Sequence, residues 1–190
     1  YDELKTLNQP GTNLPSHCDR RKTPGIDMTT GSLGQGTSLA VGMALGDKIK
    51  GRDCRTFLIV GDGEINEGQA WAAAMFTAAK KVNNLVWLID NNKKQLDGYT
   101  KDILDTFNLE DKFRAFGFEA FTIDGNDLEQ ISTALSKKAG DKPIAIVLDT
   151  VKGKGIKEVE ETAANHSMTP KPEDCDRWLE QLHKELSALA

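Results

Sequence analysis

Two polar motifs, each placed directly after a short apolar run, most constrain how this chain can fold. Gly61-Asp62-Gly63 follows Thr56–Val60, and Asn91-Asn92, separated from Gly63 by 27 residues, stands at the end of the run Leu85–Asp90. The segment between them, Glu67–Val82, is rich in good helix formers and long enough for the crossover helix of a βαβ unit. Parallel strands joined in this way end on one edge of a sheet, so the two motifs are expected to meet there.

This edge of the sheet is predicted to bind a metal ion and a diphosphate. The carboxylate of Asp62 and an asparagine carboxamide offer hard oxygen ligands, which Mg²⁺ prefers. The start of the predicted helix faces the same edge, and its unpaired N–H groups and dipole favour an anionic phosphate. Gly61 and Gly63 allow the backbone to approach that phosphate closely.

The glycine-rich segments fit other kinds of site less well. A tight turn alone would explain an isolated Gly-Asp-Gly. An EF-hand beginning at Asp62 would require glycine at its sixth position and glutamate at its twelfth, where this chain has Glu67 and Ala73. The segment Gly31–Gly36 has neither the Lys-Ser/Thr pair of a P-loop nor the glycine order of a dinucleotide-binding fold. The EF-hand, P-loop and dinucleotide assignments are therefore rejected.

The remaining pattern is α/β. The candidate strands are Thr56–Val60, Leu85–Asp90, Glu119–Ile123 and Ile144–Asp149, and the candidate helices are Gly36–Lys50, Glu67–Val82, Asp127–Ala139 and Glu173–Ala190. Such alternation predicts a parallel sheet sandwiched by helices, with Asp127 as a helix N-cap. We expect one domain over residues 1–190. In the terminal helix, Trp178, Leu179, Leu182, Leu186 and Leu189 are predicted to form an apolar stripe for core or interface packing.

Composition narrows the partners and the compartment. The 190 residues are 38% hydrophobic and carry a net charge of −5, with basic residues dispersed among more numerous acids, which argues against nucleic acid or a membrane surface as the main partner. Cys18, Cys54 and Cys175 have neither CxxC nor zinc-finger spacing, so we expect reduced thiols in a cytoplasmic protein. The sequence has no apolar run of membrane-spanning length and no signal pattern at its start.

Several segments match one family in order and in spacing. They are TTGSLGQG (Thr29–Gly36), GDGEINEGQAW (Gly61–Trp71), DNNKKQLDG (Asp90–Gly98) and KGKG (Lys152–Gly155) followed by His166. The chain therefore resembles transketolase from about Ser16 to Ser167, and is most similar to the short N-terminal subunits of split transketolases. The resemblance implies a thiamine diphosphate-binding fold, of which this chain is the diphosphate-binding domain without its N-terminal segment.

The resemblance also implies the cofactors, thiamine diphosphate and Mg²⁺, and assigns residues to them. The metal ligands would be the side chains of Asp62 and Asn92 and the backbone carbonyl of Lys94, with diphosphate oxygens and a water completing an octahedron. Asn91 would lie outside the ligand set and support it. The residues expected to contact the diphosphate are Gly61, Gly63 and Glu64, and those expected beside the aminopyrimidine ring are Gly31, Ser32 and Leu33.

Three residues are assigned catalytic roles by the same resemblance. His17 and His166 match family positions that face the reacting oxygens of the substrate, where imidazole can donate hydrogen bonds or move protons near neutral pH, and His166 also borders the cofactor. Glu67 matches a carboxylate in a proton-sharing network across the dimer interface. A glutamate in the first helical turn is equally accounted for by the helix dipole. The stretch from Gly153 to His166 is expected to be a loop beside the site.

The implied reaction transfers a two-carbon ketol unit from a ketose to an aldose, and sugar phosphates are the expected substrates. In the family, the glutamate that activates thiamine diphosphate lies on a separate pyrimidine-binding domain, for which this chain has no room. A C-terminal transketolase subunit is therefore the expected partner. Two copies of each subunit would associate in a symmetric assembly.

Two departures from the family pattern affect details of the site. Ser32 replaces a common proline, which could loosen the contact with the cofactor ring. Lys93-Lys94 replaces a glycine–apolar pair, so two cationic side chains follow the metal asparagine and must point outward or be offset by carboxylates. A deoxyxylulose phosphate synthase-like subunit, a 2-oxo-acid dehydrogenase-like subunit and a non-catalytic scaffold remain as alternatives.

Overall fold

The core of the fold is a four-stranded parallel sheet, seen in a computed structural model that describes residues 1–189. The strands are β1 (Thr56–Gly61), β2 (Leu85–Asn91), β3 (Lys94–Gln95), β4 (Gly98–Tyr99), β5 (Glu119–Asp124) and β6 (Ile144–Asp149). The helices are α1 (Gln35–Ile49), α2 (Gly68–Ala79), α3 (Thr100–Leu104), α4 (Leu109–Phe116), α5 (Leu128–Ser136), α6 (Lys157–Glu161) and α7 (Pro172–Leu189). Short 3₁₀ turns cover Glu3–Thr6, Glu64–Asn66 and Asn165–Ser167.

The order of the sheet is β1-β2-β6-β5, and every pairing in it is parallel. Gly61 pairs with Asp90, and Asn91 pairs with Asp149, so the carboxyl ends of β1, β2 and β6 lie side by side on one edge. β3 and β4 form a separate antiparallel hairpin directly after β2. The predicted α/β fold with a parallel sheet flanked by helices is confirmed.

One face of the sheet carries the larger part of the core. Helices α1, α2 and α4 cover it, and α2 buries Ala70, Ala73 and Ala74, whose small side chains allow a helix to approach a sheet closely. Trp87 on β2 and Phe113 on α4 have ring centroids 5.5 Å apart, within the range of favourable aromatic pairs. This face fixes α2, and with it the helix start that points to the predicted site.

The other face is covered less completely. Its buried cluster of Val86, Leu88, Ala134, Ile144 and Ile146 lies between α5 and the sheet. On the same face of β1, Phe57 is 47% exposed and Ile59 is 70% exposed. The helices therefore cover this face over β2 and β6 and leave its β1 end open.

The predicted strands agree with the structure to within one residue, and the predicted helices differ at their ends. The second helix begins at Gly68, one residue after Glu67, and stops at Ala79 because the chain turns before Asn83. Asp127 caps α5 as predicted, accepting hydrogen bonds from the backbone N–H groups of Glu129 and Gln130. The stretch from Gly153 to His166, which was predicted to be a loop, contains α6 and the start of a 3₁₀ turn.

Helices α3 and α4 were not predicted. The signals for α4 are present in the sequence: Asn108 caps its start by accepting from the Asp111 N–H, and Gly117 ends it with a left-handed backbone. Leu109 and Phe113 are buried and stand one turn apart, as on a core-facing stripe. With only eight residues, this helix gives a weaker periodic signal than the longer helices do.

The terminal helix α7 contacts the body through only part of its predicted stripe. Trp178 is buried, and its Nε1 donates to the Glu158 carboxylate on α6 at 3.0 Å. Leu179, Leu182 and Leu186 are exposed to differing degrees, and the side chain of Leu189 and all of Ala190 lie outside the described residues. Of residues 1–189, no helix combines the length and the hydropathy that a membrane span requires.

Candidate metal and diphosphate site

Asp62 is the buried anion at the carboxyl edge of the sheet. Its side chain follows β1 directly, and the residue is only 1% exposed. The Gly63 N–H donates to Oδ1 at 2.8 Å, while the Lys93 N–H and the Thr100 hydroxyl donate to Oδ2 at 2.7 and 3.0 Å. Burial raises the pKa of the Asp62 carboxyl despite these donors. A bound cation would offset the cost of keeping this carboxylate charged.

Asn92 lies beside Asp62 because the residue that follows it, Lys93, donates its N–H to the Asp62 carboxylate. The Asn92 Nδ2 donates to Asp90 Oδ2 at 2.9 Å, and its Oδ1 accepts from the Lys94 N–H at 3.0 Å. An amide oxygen has two lone pairs and a carboxylate about four acceptor positions. Asn92 therefore keeps one free lone pair, and Asp62, with three donors, keeps about one as well.

The backbone carbonyl of Lys94 is also available to a ligand. The Thr100 N–H donates to the Lys93 carbonyl at 3.0 Å, in the rung next to the Lys94–Tyr99 pair. Hydrogen-bonded and non-bonded pairs alternate along an antiparallel hairpin, so the Lys94–Tyr99 pair belongs to the second kind. The hairpin therefore does not use the Lys94 carbonyl, and the donor set of carboxylate, carboxamide and carbonyl suits Mg²⁺.

The two lysines after Asn92 are accommodated in different ways. Lys93 has a left-handed backbone, φ 66°, which aims its N–H at Asp62, and its ammonium forms an ion pair with Asp149 at the end of β6. Lys94 is only 8% exposed, and its Nζ donates to the carbonyls of Glu160 and Thr162 at 2.9 Å each. A carboxylate therefore offsets the positive charge of Lys93, as expected, whereas the ammonium of Lys94 is bound by backbone carbonyls.

The 3₁₀ turn Glu64–Asn66 and then α2 begin at the same edge, next to Asp62. The Gly63 N–H is engaged with Asp62, whereas the Glu64 N–H begins the turn and has no acceptor within it. Of the two predicted backbone donors, Glu64 is thus the available one. A Cβ at Gly63 would lie 3.0 Å from Gln95 Oε1. Glycine therefore leaves room for the Gln95 side chain beside this turn.

The Glu64 side chain joins the glycine-rich loop to the strand end. Its Oε1 accepts from the Gly34 N–H at 2.9 Å, and its Oε2 accepts from the Gly61 N–H at 3.4 Å. A Cβ on Gly34 would lie 2.8 Å from the Cβ of Glu67, so α2 starts in direct contact with this loop. Glu67 is exposed and makes no side-chain cap bond. Its two assigned roles therefore stay predictions.

His17 lies against the loop that is assigned to the cofactor ring. Gly31 has φ 151°, and a Cβ built there would be 2.6 Å from the His17 imidazole, so only glycine permits this packing. The Thr30 N–H donates to the Cys18 carbonyl at 3.1 Å and holds the two segments together. Ser32 and Leu33 are exposed on the same loop, which lines a groove of about 680 Å³ beside α1 and β1.

His166 lies on the segment after β6. The buried Asn165 donates through Nδ2 to the carbonyls of Lys152 and Val159, at 3.2 and 2.8 Å, and so closes the segment on itself. The Lys152 Nζ lies 2.8 Å from His166 Nδ1. An ammonium can only donate, so Nδ1 accepts and Nε2 carries the ring proton. His166 then presents an N–H donor.

Together these contacts place most of the assigned residues in one continuous region. The metal residues, the Glu64 turn, the Gly31 loop and His17 follow one another along the sheet edge, and Lys94 connects His166's segment to the metal hairpin. Within residues 1–189 no group of three His, Cys, Asp or Glu side chains could hold a metal. The predicted site supplies a single carboxylate, and its other ligands are an amide and a carbonyl.

Sequence reasoning did not identify Thr100 and Asp90 as parts of this site. Thr100 bonds Asp62 from the start of α3, a helix that was not predicted. Asp90 accepts from Asn92 and from the Thr150 hydroxyl, and so fixes the orientation of the Asn92 amide. Its position directly before the two asparagines was the available signal. A cavity of about 420 Å³ opens beside Asp62 and is lined by Asn91, Lys93, Tyr99 and Thr100 among others.

Comparison with known proteins identifies the family to which the chain belongs. Residues 1–185 match the family described as transketolase, thiamine diphosphate binding domain. The chain is 48% identical over 184 residues to the 6-deoxy-6-sulfo-D-fructose transketolase subunit SqwG of a Clostridium species, covering 96% of this chain and 67% of that protein. It is 39% identical over 185 residues to an apulose-4-phosphate transketolase subunit of Actinobacillus succinogenes, covering 97% of this chain and 67% of that protein.

Solved structures agree with these sequence relatives. The transketolase of Campylobacter jejuni superposes with a TM-score of 0.89 at 29% identity, over 96% of this chain. The alignment covers 30% of that transketolase, so the chain spans about a third of a full-length enzyme and two thirds of the split subunits.

Proposed function

This chain belongs to the transketolase family, through its thiamine diphosphate-binding domain, and from this premise we propose that its protein is the diphosphate-binding half of a two-subunit enzyme. That enzyme transfers a two-carbon ketol unit from a ketose to an aldose. The observation that carries the proposal is the convergence of Asp62, Asn92 and the Lys94 carbonyl beside the free N–H of Glu64. The relatives named as transketolase subunits favour this function over the synthase and dehydrogenase alternatives.

Each part of the proposed site has a separate task. Asp62, Asn92 and the Lys94 carbonyl would hold Mg²⁺, and the Glu64 N–H would donate to the diphosphate. The Gly31 loop would position the cofactor ring, and Gly31 itself leaves room for His17. Thiamine diphosphate, when bound, supplies a nucleophilic carbon and an electron sink for the two-carbon unit. We assign its activation to a glutamate on a partner subunit with a pyrimidine-binding domain.

His17 and His166 are proposed to face the sugar oxygens. The Lys152 contact makes His166 a hydrogen-bond donor at Nε2, which would suit the ketose C2 carbonyl oxygen, where negative charge would develop on addition of a nucleophilic carbon. His17 is exposed, packs against Gly31 and has no hydrogen bond among the described residues, so its imidazole is free to meet a substrate.

The substrates are proposed to be sugars with a terminal anion. One relative is named for a 6-sulfo sugar and another for a 4-phosphate sugar, at 48% and 39% identity to this chain. Both anions present several acceptor oxygens at the far end of the sugar from the ketol unit. The higher identity favours a sulfonated ketose as the first donor to test. A cytoplasmic location is proposed, in keeping with the three free thiols, Cys18, Cys54 and Cys175.

Reconstituted transfer tests this function. The full-length subunit and its partner, with thiamine diphosphate and Mg²⁺, should move a two-carbon unit from a 6-sulfo ketose to an aldose phosphate, with the shortened sugar as the second product. Mass spectrometry of both products measures the reaction, and a 6-phospho ketose in place of the sulfo ketose measures the anion preference. Chelation of Mg²⁺ should abolish the transfer. If the pair transfers no two-carbon unit from the sulfo ketose and none from the phospho ketose, the proposal is refuted.

Replacement of His17 or His166 by alanine should lower turnover at least tenfold while leaving the thermal melt near that of the wild type. Both side chains are exposed and contribute little to the core, so their loss removes hydrogen bonds to the substrate more than it removes packing. A tenfold loss corresponds to ~1.4 kcal/mol in the barrier. His183→Ala, in the exposed part of α7, is the matched control. Unaltered turnover in both variants would show that neither histidine meets the substrate.

A further inference from the structure

Lys94 makes an unusual pair of contacts for a lysine beside a cation site. It is almost fully buried, and its Nζ donates to two backbone carbonyls, those of Glu160 and Thr162, at 2.9 Å each. No carboxylate forms an ion pair with it among residues 1–189, and the Tyr99 ring centroid lies 5.7 Å from the ammonium. The side chain therefore spans from the metal hairpin to a segment that follows it by more than 60 residues.

The two acceptors have a common position. Both stand at the C-terminal end of α6, where helix carbonyls have no partner within the helix and a lysine can satisfy them. The buried Asn165 donates to the carbonyl of Val159, also in the last turn of α6. The residue after Asn165 is His166, so whatever fixes the end of α6 also fixes the backbone that carries this histidine.

We propose that Lys94 is a positioning residue that couples the metal hairpin to the His166 segment. Its backbone carbonyl is assigned to Mg²⁺ in the proposed function, on which this inference rests, and its ammonium holds the end of α6. A shift of the hairpin as the metal binds is therefore transmitted to His166 through one side chain. An apolar residue at this position could not donate to these carbonyls.

A second set of contacts holds the first turn of α6. Glu158 accepts hydrogen bonds from the Trp178 indole at 3.0 Å and from Arg177 at 2.7 Å, both on α7. These donors lower the pKa of the Glu158 carboxyl, Trp178 being the larger cause. The contact with α7 fixes the first turn of α6 but makes no link to the metal hairpin. Lys94 provides that link.

Hydrogen exchange in the full-length subunit with its partner tests the coupling. In the wild type, Mg²⁺ and thiamine diphosphate together should slow amide exchange at residues 156–167. Lys94→Met keeps an unbranched apolar stem as far as Cε and removes the ammonium donors. In this variant, exchange at residues 156–167 should be at least fivefold faster, and the slowing by Mg²⁺ and cofactor should be largely lost. The amides of β1 and β2 should exchange as in the wild type.

The matched control is Lys157→Met, which removes a lysine from α6 itself. Lys157 is exposed and reaches only Glu161, at 3.8 Å, so its loss should leave exchange and turnover unchanged. In Lys94→Met, kcat should fall about tenfold, while the KM for the ketose and the affinity for Mg²⁺ change less than threefold. A variant that merely unfolds would show faster exchange throughout the sheet.

Two results would overturn the coupling. One is unchanged exchange at residues 156–167 in Lys94→Met, and the other is an increase spread evenly over the whole chain. Because exchange is measured without sugar, it judges the coupling even if the reconstituted pair transfers no ketol unit. The absence of transfer by the wild-type pair would instead count against the proposed function, so the two failures are distinguishable.

Discussion

Alanine at Asp62 is expected to abolish Mg²⁺-dependent binding of thiamine diphosphate. The side chain is the only carboxylate assigned to the metal, and it lies in a buried position where a cation is not screened by water. Its loss removes the charge that attracts the ion and thereby the bridge between the protein and the diphosphate. We expect cofactor affinity to fall at least 100-fold, about 2.8 kcal/mol at 1.4 kcal/mol per tenfold change.

Calorimetric titration of the subunit pair with thiamine diphosphate, with and without Mg²⁺, measures this effect. Asp62 accepts from the N–H groups of Gly63 and Lys93 and from the Thr100 hydroxyl, so its alanine variant leaves three donors without this partner and could lose stability. Asp62→Asn keeps the shape and removes the charge, and thermal melts of both variants separate folding from binding. Asp102→Ala, an exposed carboxylate on α3, is the control and should bind normally.

Asn92→Ala should weaken the same binding by a smaller factor. A neutral amide oxygen contributes less than a carboxylate, and the Asn92 amide also fixes the turn by accepting from Lys94. Both variants, Asp62→Ala and Asn92→Ala, are titrated with thiamine diphosphate in the presence of Mg²⁺. If both bind it as tightly as the wild type does, the metal site has been assigned to the wrong residues.

The sheet edge could be predicted because the information for it is local. Thr56–Val60 and Leu85–Asp90 are apolar runs that end in polar residues, and the chain between them has the length of a crossover helix. Two parallel strands joined by a right-handed crossover end on the same edge of a sheet, and this rule alone places Asp62 close to Asn92. The structure brings them together in this way, through the hydrogen bond from the Lys93 N–H to Asp62.

What could not be predicted depends on contacts between distant parts of the chain. The side chain of Lys94 turns towards Glu160 and Thr162, and nothing near Lys94 in the sequence specifies those acceptors. The hydrogen bond from the Gly63 N–H to Asp62 depends on the geometry of the turn. No sequence pattern indicates that three donors surround one carboxylate. Helix α4 is short, and its two buried residues form a weak pattern between two better defined strands.

The 190-residue chain alone is expected to show no ketol transfer. In the proposed enzyme, the glutamate that activates thiamine diphosphate belongs to a pyrimidine-binding domain, and this chain is the diphosphate-binding domain. In the proposed site Asp62 and Asn92 hold the metal, and the Glu64 carboxylate accepts hydrogen bonds from the N–H groups of Gly34 and Gly61.

Turnover measured before and after addition of the partner subunit decides this point. The chain, thiamine diphosphate and Mg²⁺ should give no transfer above a control without protein, and the full-length subunit with its partner should give sustained transfer. The chain exposes three apolar side chains near β1, those of Leu39, Phe57 and Ile59, and exposed apolar surface favours association. Light scattering therefore compares the assembly of the 190-residue chain with that of the full-length subunit. Robust activity of the isolated chain would refute the two-subunit site, because every group needed for catalysis would then have to lie among these residues.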